Sequence, residues 1–401
     1  MPINELPTLV KLSAVVALSF VLASCSTTTP PVICALPSST GSTGTCTCGS
    51  GTAACPIQPG PEFLYATSIG GQILAFGIDP QNGTLTAIGP VPGPTLSLGL
   101  TSVSNQFLYA SDTHNAQIDG FSINQTTGAL TALAGSPFPT GTLTVPGVLA
   151  APPGDLGSSP GSSLLYAADS GTIDMFTISA AGVPTALSGS PFLPESGFSI
   201  VVDPSANFLY AADDDPPGGI FAFTTDSAGA LAAIPDSPFT IPGQTVADSL
   251  PIGIVDTGSY VYTALTQTNQ IAAFAIASVD GALTGALTPV PNSPFLAGTA
   301  PTAVVLAGSN FLYAINSSDG TISGYSIEST NGALTPLSGS PFAIVGVSLA
   351  TDYLGQHLYV AGPTGIQAFG IDLSGALTPV PGSPFPAIGP TLLTFVQIPP
   401  P

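Results

Sequence analysis

The residues of this chain that could carry out acid–base or metal chemistry are two histidines and a set of carboxylates. The 401 residues include 22 acids, two histidines and one base. His114 lies two positions after Asp112, so its imidazole could serve as a general base with a carboxylate beside it. The alternative is that Asp112 is a turn residue, as aspartates in loops usually are, and that it only keeps the protein soluble.

The densest carboxylate cluster consists of Asp213, Asp214 and Asp215, which precede Pro-Pro-Gly-Gly. Adjacent carboxylates repel one another unless they are solvated or neutralised, and Ca²⁺ takes oxygen ligands from such loops. The cluster lacks a regular alternation of ligand positions, so a solvated turn is the alternative. The sequence therefore requires no cofactor and suggests Ca²⁺ as the candidate ion. Three further acids, Asp112, Asp169 and Asp319, lie in equivalent loops of the repeats. They predict that one face of the fold is acidic.

Positive charge is almost absent, because Lys11 is the single base and the formal net charge is −21. Binding to a nucleic acid is excluded, since that affinity depends on lysine and arginine neutralising phosphates. Carboxylates such as Asp203 are expected to be stabilised only by backbone donors, hydroxyls, water or a cation. His357 takes the place of an aromatic residue in a repeated strand and is expected to be a packing substitution rather than a catalyst.

The N-terminal segment is typical of an export signal. Lys11 precedes an apolar run that ends in Leu-Ala-Ser-Cys25, and a short basic region followed by such a run is characteristic of secreted precursors. The last four residues resemble the bacterial lipobox, which implies a signal peptide over residues 1–24 and diacylation of Cys25. The protein is then anchored in the bacterial envelope, at the outer membrane or cell surface. The alternative is an ordinary signal peptide with a coincidental cysteine.

Residues 25–61 are rich in Ser, Thr, Pro and Gly and are predicted to form a flexible tether. Four cysteines lie in this segment, and in an oxidising compartment they predict two disulfides. Three connectivities exist, and a Cys46–Cys48 pair would be strained, so the other two are favoured. A zinc site built from the four thiolates is the alternative. The four are Cys34, Cys46, Cys48 and Cys55.

From residue 62 to 401 one unit of about 49 residues recurs seven times. Each copy has a strand centred on tyrosine, followed by an Ile-x-x-(Phe/Tyr) strand and, after a glycine turn, a third short strand. Six copies then reach Ser-Pro-Phe, and a further apolar run precedes the next tyrosine strand. The seven tyrosines are Tyr65, Tyr109, Tyr166, Tyr210, Tyr262, Tyr313 and Tyr359.

Four short strands in a unit of this length predict an all-β fold, a seven-bladed β-propeller with four-stranded antiparallel blades. The strands do not alternate between apolar and polar residues, as expected when both faces of a blade are covered by neighbouring blades. The first unit lacks its own leading apolar run, and the chain ends on an extra one, 392–398. The C-terminal strand is therefore predicted to be the innermost strand of the first blade and to close the ring.

The Leu-Tyr strands and turns such as Asp203–Asn207 resemble those of YVTN-repeat propellers and of the seven-bladed lactonase family, which includes 6-phosphogluconolactonase-like enzymes. This resemblance implies lactone hydrolysis or formation at the central pore face. A histidine, arginines and a glutamate are implicated in cyclising members of that family. This chain has no arginine, so no catalytic position carries over from the family.

Two functional hypotheses follow. The first is a surface-tethered, non-catalytic propeller that binds an extracellular ligand or protein, or that has a structural role in the envelope. The second is a lactonase-like hydrolase acting on a neutral lactone, with His114 and a nearby aspartate activating water. The expected partners are the membrane, through the lipid, and an unidentified extracellular molecule, and the propeller is expected to be monomeric.

Overall fold

All regular structure in the described part of the chain is β-strand. The computed structural model describes residues 45–48, 51–54, 60–140, 155–158, 162–169, 172–192, 199–213, 218–244 and 251–399. Within these ranges no helix is long and apolar enough to cross a membrane. The chain divides into two compact units, Met1–Gln58 and Pro59–Pro401.

The first unit contains an antiparallel hairpin of β1 (Thr45–Cys48) and β2 (Gly51–Ala54). Cys46 and Cys48 therefore lie on one strand. Cys25, Cys34 and Cys55 fall outside the described residues, so lipidation and the disulfides stay predictions.

The second unit contains seven four-stranded antiparallel sheets, the blades. Within blades 2 to 7 the chain runs from the inner strand to the outer strand. The first three blades are built from the following strands. Blade 1 has β3 (Glu62–Ser68), β4 (Gln72–Ile78) and β5 (Leu85–Pro92). Blade 2 has β6 (Leu100–Val103), β7 (Phe107–Asp112), β8 (Gln117–Ile123) and β9 (Leu130–Ala132), with β10 (Phe138–Pro139) also pairing β8. Blade 3 has β11 (Leu156–Ser158), β12 (Leu164–Asp169), β13 (Thr172–Ile178) and β14 (Pro184–Ala186).

The remaining strands repeat this order, and the last one returns to blade 1. Blade 4 has β15 (Ser199–Val202), β16 (Phe208–Asp213), β17 (Gly219–Thr225) and β18 (Leu231–Ala233). Blade 5 has β19 (Pro251–Asp256), β20 (Tyr260–Leu265), β21 (Gln270–Val279) and β22 (Ala282–Pro289), with β23 (Phe295–Leu296) also pairing β21. Blade 6 has β24 (Pro301–Ala307), β25 (Phe311–Asn316), β26 (Thr321–Ile327) and β27 (Leu334–Pro336). Blade 7 has β28 (Ser348–Thr351), β29 (His357–Gly362), β30 (Gly365–Ile371) and β31 (Leu377–Pro379), and β32 (Pro390–Gln397) follows.

The ring closes as predicted, because β32 pairs with β3 and is the inner strand of blade 1. The register places Glu62 opposite Gln397 and Phe63 opposite Val396. Each inner strand contacts the inner strands of the two neighbouring blades, so β32 completes a continuous ring with β6 and β28. The seven-bladed propeller fold is thus confirmed.

The repeated tyrosine ties each blade to the next one. The seven repeated tyrosine side chains are fully buried, and the hydroxyl of each donates to the carbonyl of a glycine in the following blade. In six blades this glycine lies in the turn between the third and fourth strands, and in blade 5 it is Gly285, within β22. At the closing joint Tyr359 donates to Gly83 O at 3.2 Å. These glycines have positive φ, and a Cβ at Gly83 would lie 2.3 Å from His357 Cδ2. The turn therefore needs glycine both for its backbone and for the close approach of the neighbouring blade.

The Ser-Pro-Phe segment fastens the outer edge of six blades. In blade 2 the Ser136 Oγ accepts a hydrogen bond from Gly120 N at 2.9 Å, and Phe138 pairs with Ile118. The other five copies repeat both contacts at equivalent positions. Blade 1 lacks the segment, and there the longer β5 pairs along all of β4 instead.

Candidate functional site

The antiparallel blades give the propeller two rims. The upper rim carries the loops between second and third strands and the connections that enter the inner strands. The lower rim carries the turns between first and second strands and between third and fourth strands. Asp112, Asp169 and Asp213 end second strands at the upper rim, and Asp319 lies in the β25–β26 loop at the same rim.

Asp112 is engaged by its own turn. Its Oδ1 accepts hydrogen bonds from the backbone amides of His114 and Asn115, and its Oδ2 accepts one from Asn115 Nδ2 at 2.7 Å. The His114 side chain is exposed. Asp112 thus bonds to the backbone of His114 rather than to its imidazole, an arrangement that stabilises a turn and does not orient a base.

The other acidic residues singled out from the sequence lie in different loops and have different surroundings. Asp319 is exposed and accepts hydrogen bonds from Thr299 N at 2.8 Å and Thr321 Oγ1 at 2.6 Å. Asp213 is buried at the end of β16, the side chain of Asp169 is not described, and Asp214 and Asp215 fall outside the described residues. No group of three or more potential metal ligands occurs in the part of the chain that the structure describes. Calcium binding by the Asp213–Asp215 cluster therefore stays a prediction.

A carboxylate that the sequence analysis did not single out lies beside the pore. Asp155 precedes the inner strand β11, and it accepts hydrogen bonds from Ser199 Oγ at 2.9 Å and Ile200 N at 3.1 Å of blade 4. Burial raises the pKa of Asp155 to about 6, against the effect of these bonds. Burial, with a smaller contribution from Asp112, also raises the pKa of Asp119 on β8 to about 6.

The upper rim also has an apolar cleft of about 260 Å³ between blades 7 and 1. Its side chains are unusually exposed for aliphatic residues, with Ile69 at 71% and Val347 at 59%. Val345, another lining residue, packs against Gly320 in the loop that carries Asp319. One lining residue of the cleft therefore contacts the loop that carries Asp319, although Asp319 itself does not line the cleft.

At the lower rim, the joint between blades 7 and 1 contains an imidazole–carboxylate pair. His357 Nδ1 and Asp352 Oδ2 are 2.6 Å apart, and both side chains are buried. Asp352 Oδ1 also accepts a hydrogen bond from Gln356 N at 2.6 Å. Asp352 is therefore an exception to the expectation that carboxylates are stabilised only by backbone donors, hydroxyls, water or a cation. The imidazole packs on Gly83, as an aromatic residue would, and also serves as a polar partner.

Glu62 lies at the same joint and is buried. Gln397 Nε2 donates to its Oε1 at 3.3 Å, which links the two strands that close the ring. Burial, reinforced by the negative charge of Asp352, raises the pKa of Glu62 to about 7. Glu62 and Asp352 border a cavity of about 230 Å³. We refer to Glu62, Asp352 and His357 as the joint cluster.

Comparison of the seven repeats shows that two residues of the joint cluster depart from the residue types found in the other copies. The residue two positions before each tyrosine is apolar or aromatic in six copies and is His357 in the seventh. The residue before it is an uncharged polar residue in six copies and is Glu62 in the first. Both exceptions fall on the two blades that meet where the ring closes.

Solved structures with this fold include lactonase-like proteins. A proposed 6-phosphogluconolactonase from Bacteroides fragilis has a TM-score of 0.68 and 20% identity, over 85% of this chain and 99% of that chain. A second from Bacteroides uniformis has a TM-score of 0.67 and 18% identity, over 84% of this chain and 100% of that chain. The periplasmic gluconolactonase of Pseudomonas aeruginosa has a TM-score of 0.63 and 17% identity, over 84% and 99%. No family model matches the chain, and no curated protein matches it. The lactonase-like propeller fold is confirmed at this level of similarity.

Proposed function

We propose that this protein is an exported, lipid-anchored propeller that binds an extracellular partner at its upper rim and does not catalyse a reaction. The observation that carries the proposal is the exposed apolar cleft between blades 7 and 1. Exposed aliphatic side chains that lie together, rather than singly, are typical of interaction sites. The predicted catalytic pair on this rim is engaged in a turn, which favours binding over chemistry.

The aliphatic residues and the charge of the upper rim restrict the class of molecule that can bind there. The aliphatic side chains lie on successive connections from blade 6 round to blade 2, so they form an arc rather than isolated points. The arc consists of Val345, Val347, Ile388, Ile69, Leu96 and Leu98. Because the chain has no lysine or arginine after residue 11, it offers carboxylates but no fixed positive charge. A partner with apolar groups and with neutral or positive charge fits this rim better than an anionic one.

The binding claim is tested by screening the propeller unit, residues 59–401, against arrays of glycans, lactones and peptides. Val347→Asp and Ile69→Asp should each weaken any hit by at least about tenfold, because a charge in the cleft must be desolvated. Leu373→Asp is the matched control, since Leu373 is fully exposed in a lower-rim turn. A hit that all three variants weaken equally, or that none weakens, would overturn the assignment of the upper rim.

The anchoring claim is tested separately. Cys25→Ala should abolish acyl labelling and either release the protein from the membrane fraction or leave the precursor uncleaved. Unchanged labelling and unchanged membrane association would contradict the lipid anchor.

The second candidate is hydrolysis of a neutral lactone at the pore, which is supported by the raised pKa of the half-buried Asp155 and by the fold shared with gluconolactonases. A carboxylate with a pKa near 6 suits a general base at neutral pH. Turnover of a neutral lactone that Asp155→Asn reduces by 100-fold or more, and that His114→Ala leaves intact, would favour this candidate over the binding module.

A further inference from the structure

The lower-rim cavity between blades 7 and 1 combines negative charge with burial. Glu62 is 3% exposed and Asp352 is 6% exposed, and both border the cavity. Gln397 bonds to one oxygen of Glu62, and among the described residues the second oxygen, Oε2, has no hydrogen-bond partner. Oε2 is not one of the fully buried unpartnered atoms in the described part of the chain, so it is open to the cavity, where it can accept a hydrogen bond from a bound donor.

Few positive charges near the cavity balance the negative charge of these carboxylates. Blade 1 contributes Glu62 and, in the β4–β5 turn, Asp79, while blade 7 contributes Asp352, His357 and the buried hydroxyl of Tyr359. His357 is the one basic side chain among them, and its Nδ1 faces Asp352. The joint therefore holds more carboxylates than cations.

We propose that this cavity is a binding site for a small organic ammonium ion, a primary ammonium group on a short carbon chain. The ammonium would donate to Glu62 and to the amide oxygens of Gln81 and Gln356, which also border the cavity. The carbon chain would lie against Leu354 and Pro80. An ammonium ion has three donors and matches this set of acceptors.

A metal ion fits the cavity less well than an ammonium ion. No group of three or more histidine, cysteine, aspartate or glutamate residues in the described part of the chain is arranged to hold a metal. The lining also includes aliphatic side chains, which serve an organic cation and not a hydrated ion. The site lies on the rim opposite to the apolar cleft, so it is independent of the proposed partner surface.

Binding should depend on pH with a definite sign. The free Glu62 carboxyl has a pKa of about 7, and the ammonium requires its ionised form. Affinity should therefore rise as the pH rises from 5.5 to 8.5, with release of a proton on binding near neutral pH. It falls again only where the amine itself loses its proton, around pH 10.

The experiment is isothermal titration calorimetry of the full chain in non-ionic detergent with 1,4-diaminobutane as the probe. 1,4-Butanediol is the neutral analogue, and sodium chloride and calcium chloride at matched ionic strength are the ionic controls. We expect saturable binding of the diamine at pH 8.5, at least tenfold weaker binding at pH 5.5, and heats that vary with the buffer because a proton is released. The diol and both salts should show no saturable binding at this site.

Glu62→Gln should weaken diamine binding by at least tenfold, since it replaces a charged hydrogen-bond acceptor by a neutral one. Glu328→Gln is the control, because Glu328 is an exposed glutamate in a lower-rim turn of blade 6 and the two variants change the net charge equally. Equal weakening in both variants, equal binding of the diol, or tighter calcium binding that Glu62→Gln removes would overturn the proposal. If Glu62→Gln does not fold, the pH dependence and proton release of the unmodified protein still decide it.

Discussion

The joint between blades 4 and 5 and the joint between blades 7 and 1 are built on one plan and differ in their polar groups. In both, a tyrosine hydroxyl donates to the carbonyl of a glycine in the next blade at 3.2 Å, Tyr210 to Gly285 and Tyr359 to Gly83. In both, the ring two positions before the tyrosine packs on that glycine. The packing that holds blades together is therefore the same at an ordinary joint and at the closing joint.

The difference lies in what meets the turn aspartate. At the joint of blades 4 and 5, Asp203 and Asp256 are buried, and within the described residues the Oδ2 of each has no hydrogen-bond partner. At the joint of blades 7 and 1, the equivalent Asp352 bonds to His357, and Glu62 is added beside it. Repetition of the packing residues preserves the ring, whereas two substitutions at one joint place an imidazole and a second carboxylate beside the turn aspartate.

Removing the closing strand should have the largest effect. Truncation after Gly389 deletes β32 and the residue that follows it, and so removes the buried side chains of Leu393, Val396 and Ile398, at about 1.5–3 kcal/mol for each. That sum is comparable to the whole stability of a domain, so we expect aggregation or loss of the folding transition. Thermal unfolding and size-exclusion chromatography would measure it, with a chain lacking only residues 400–401 as control. A truncated protein that melts like the full chain would contradict the role of β32.

A methyl group at the glycine that accepts the tyrosine hydrogen bond should be the next most damaging change, and to a similar extent at both joints. Gly83→Ala and Gly285→Ala place a Cβ 2.3 Å from His357 and 2.4 Å from Phe208, at positive φ. Backbone strain and overpacking together should cost about 2–4 kcal/mol. Gly189→Ala is the control for strain alone, because nothing lies within 4 Å of its Cβ position. Chemical denaturation measures all three, and an equal loss at Gly189 would show that packing between blades contributes nothing.

The ionisation of Glu62 should make the stability of the protein depend on pH near neutrality, whereas exposed acids should not. Because the folded pKa of Glu62 is raised to about 7 from 4.5, its contribution to stability is fully present below pH 4.5 and is lost as the pH rises through 7. Asp256 at the other joint behaves likewise, since burial raises its pKa to about 7. The protein should therefore be more stable at pH 5 than at pH 8.

Glu62→Gln tests this point directly. It should stabilise the protein by about 1–3 kcal/mol at pH 8 and change little at pH 5, because glutamine cannot ionise. Glu328→Gln, at an exposed position, should leave the pH profile unchanged. Denaturation curves at the two pH values give the result. If the stability of Glu62→Gln changes with pH in parallel with that of the unmodified protein, Glu62 is not the source of the pH dependence.

Loss of a single tyrosine hydroxyl should have the smallest effect. Tyr210→Phe and Tyr359→Phe each remove one buried hydrogen bond of 3.2 Å and should cost about 1–2 kcal/mol. The two losses should agree within about 0.5 kcal/mol in chemical denaturation, because the contacts are equivalent. A markedly larger loss at Tyr359 would indicate that the closing joint depends on this bond more than an ordinary joint does.

Much of the upper rim could be placed from the sequence. Asp112 and Asp319 follow second strands, and the alternation of an antiparallel blade fixes the rim on which such loops lie. The hydrogen-bond partner of each side chain could not be predicted from this alternation. Asp112 could serve either an imidazole or a turn, and only the fold shows that it accepts from the backbone of His114.

The sequence by itself determined the number of blades, their order and the strand that closes the ring. These properties follow from local patterns that recur in every copy, and the missing first strand has an obvious counterpart at the C-terminus. Only the tertiary structure decided the contents of the closing joint. Glu62 and His357 lie near opposite ends of the propeller sequence and share no local pattern. The pairing of β3 with β32 brings them together, and burial there changes the chemistry of a glutamate that would be ordinary on an exposed strand.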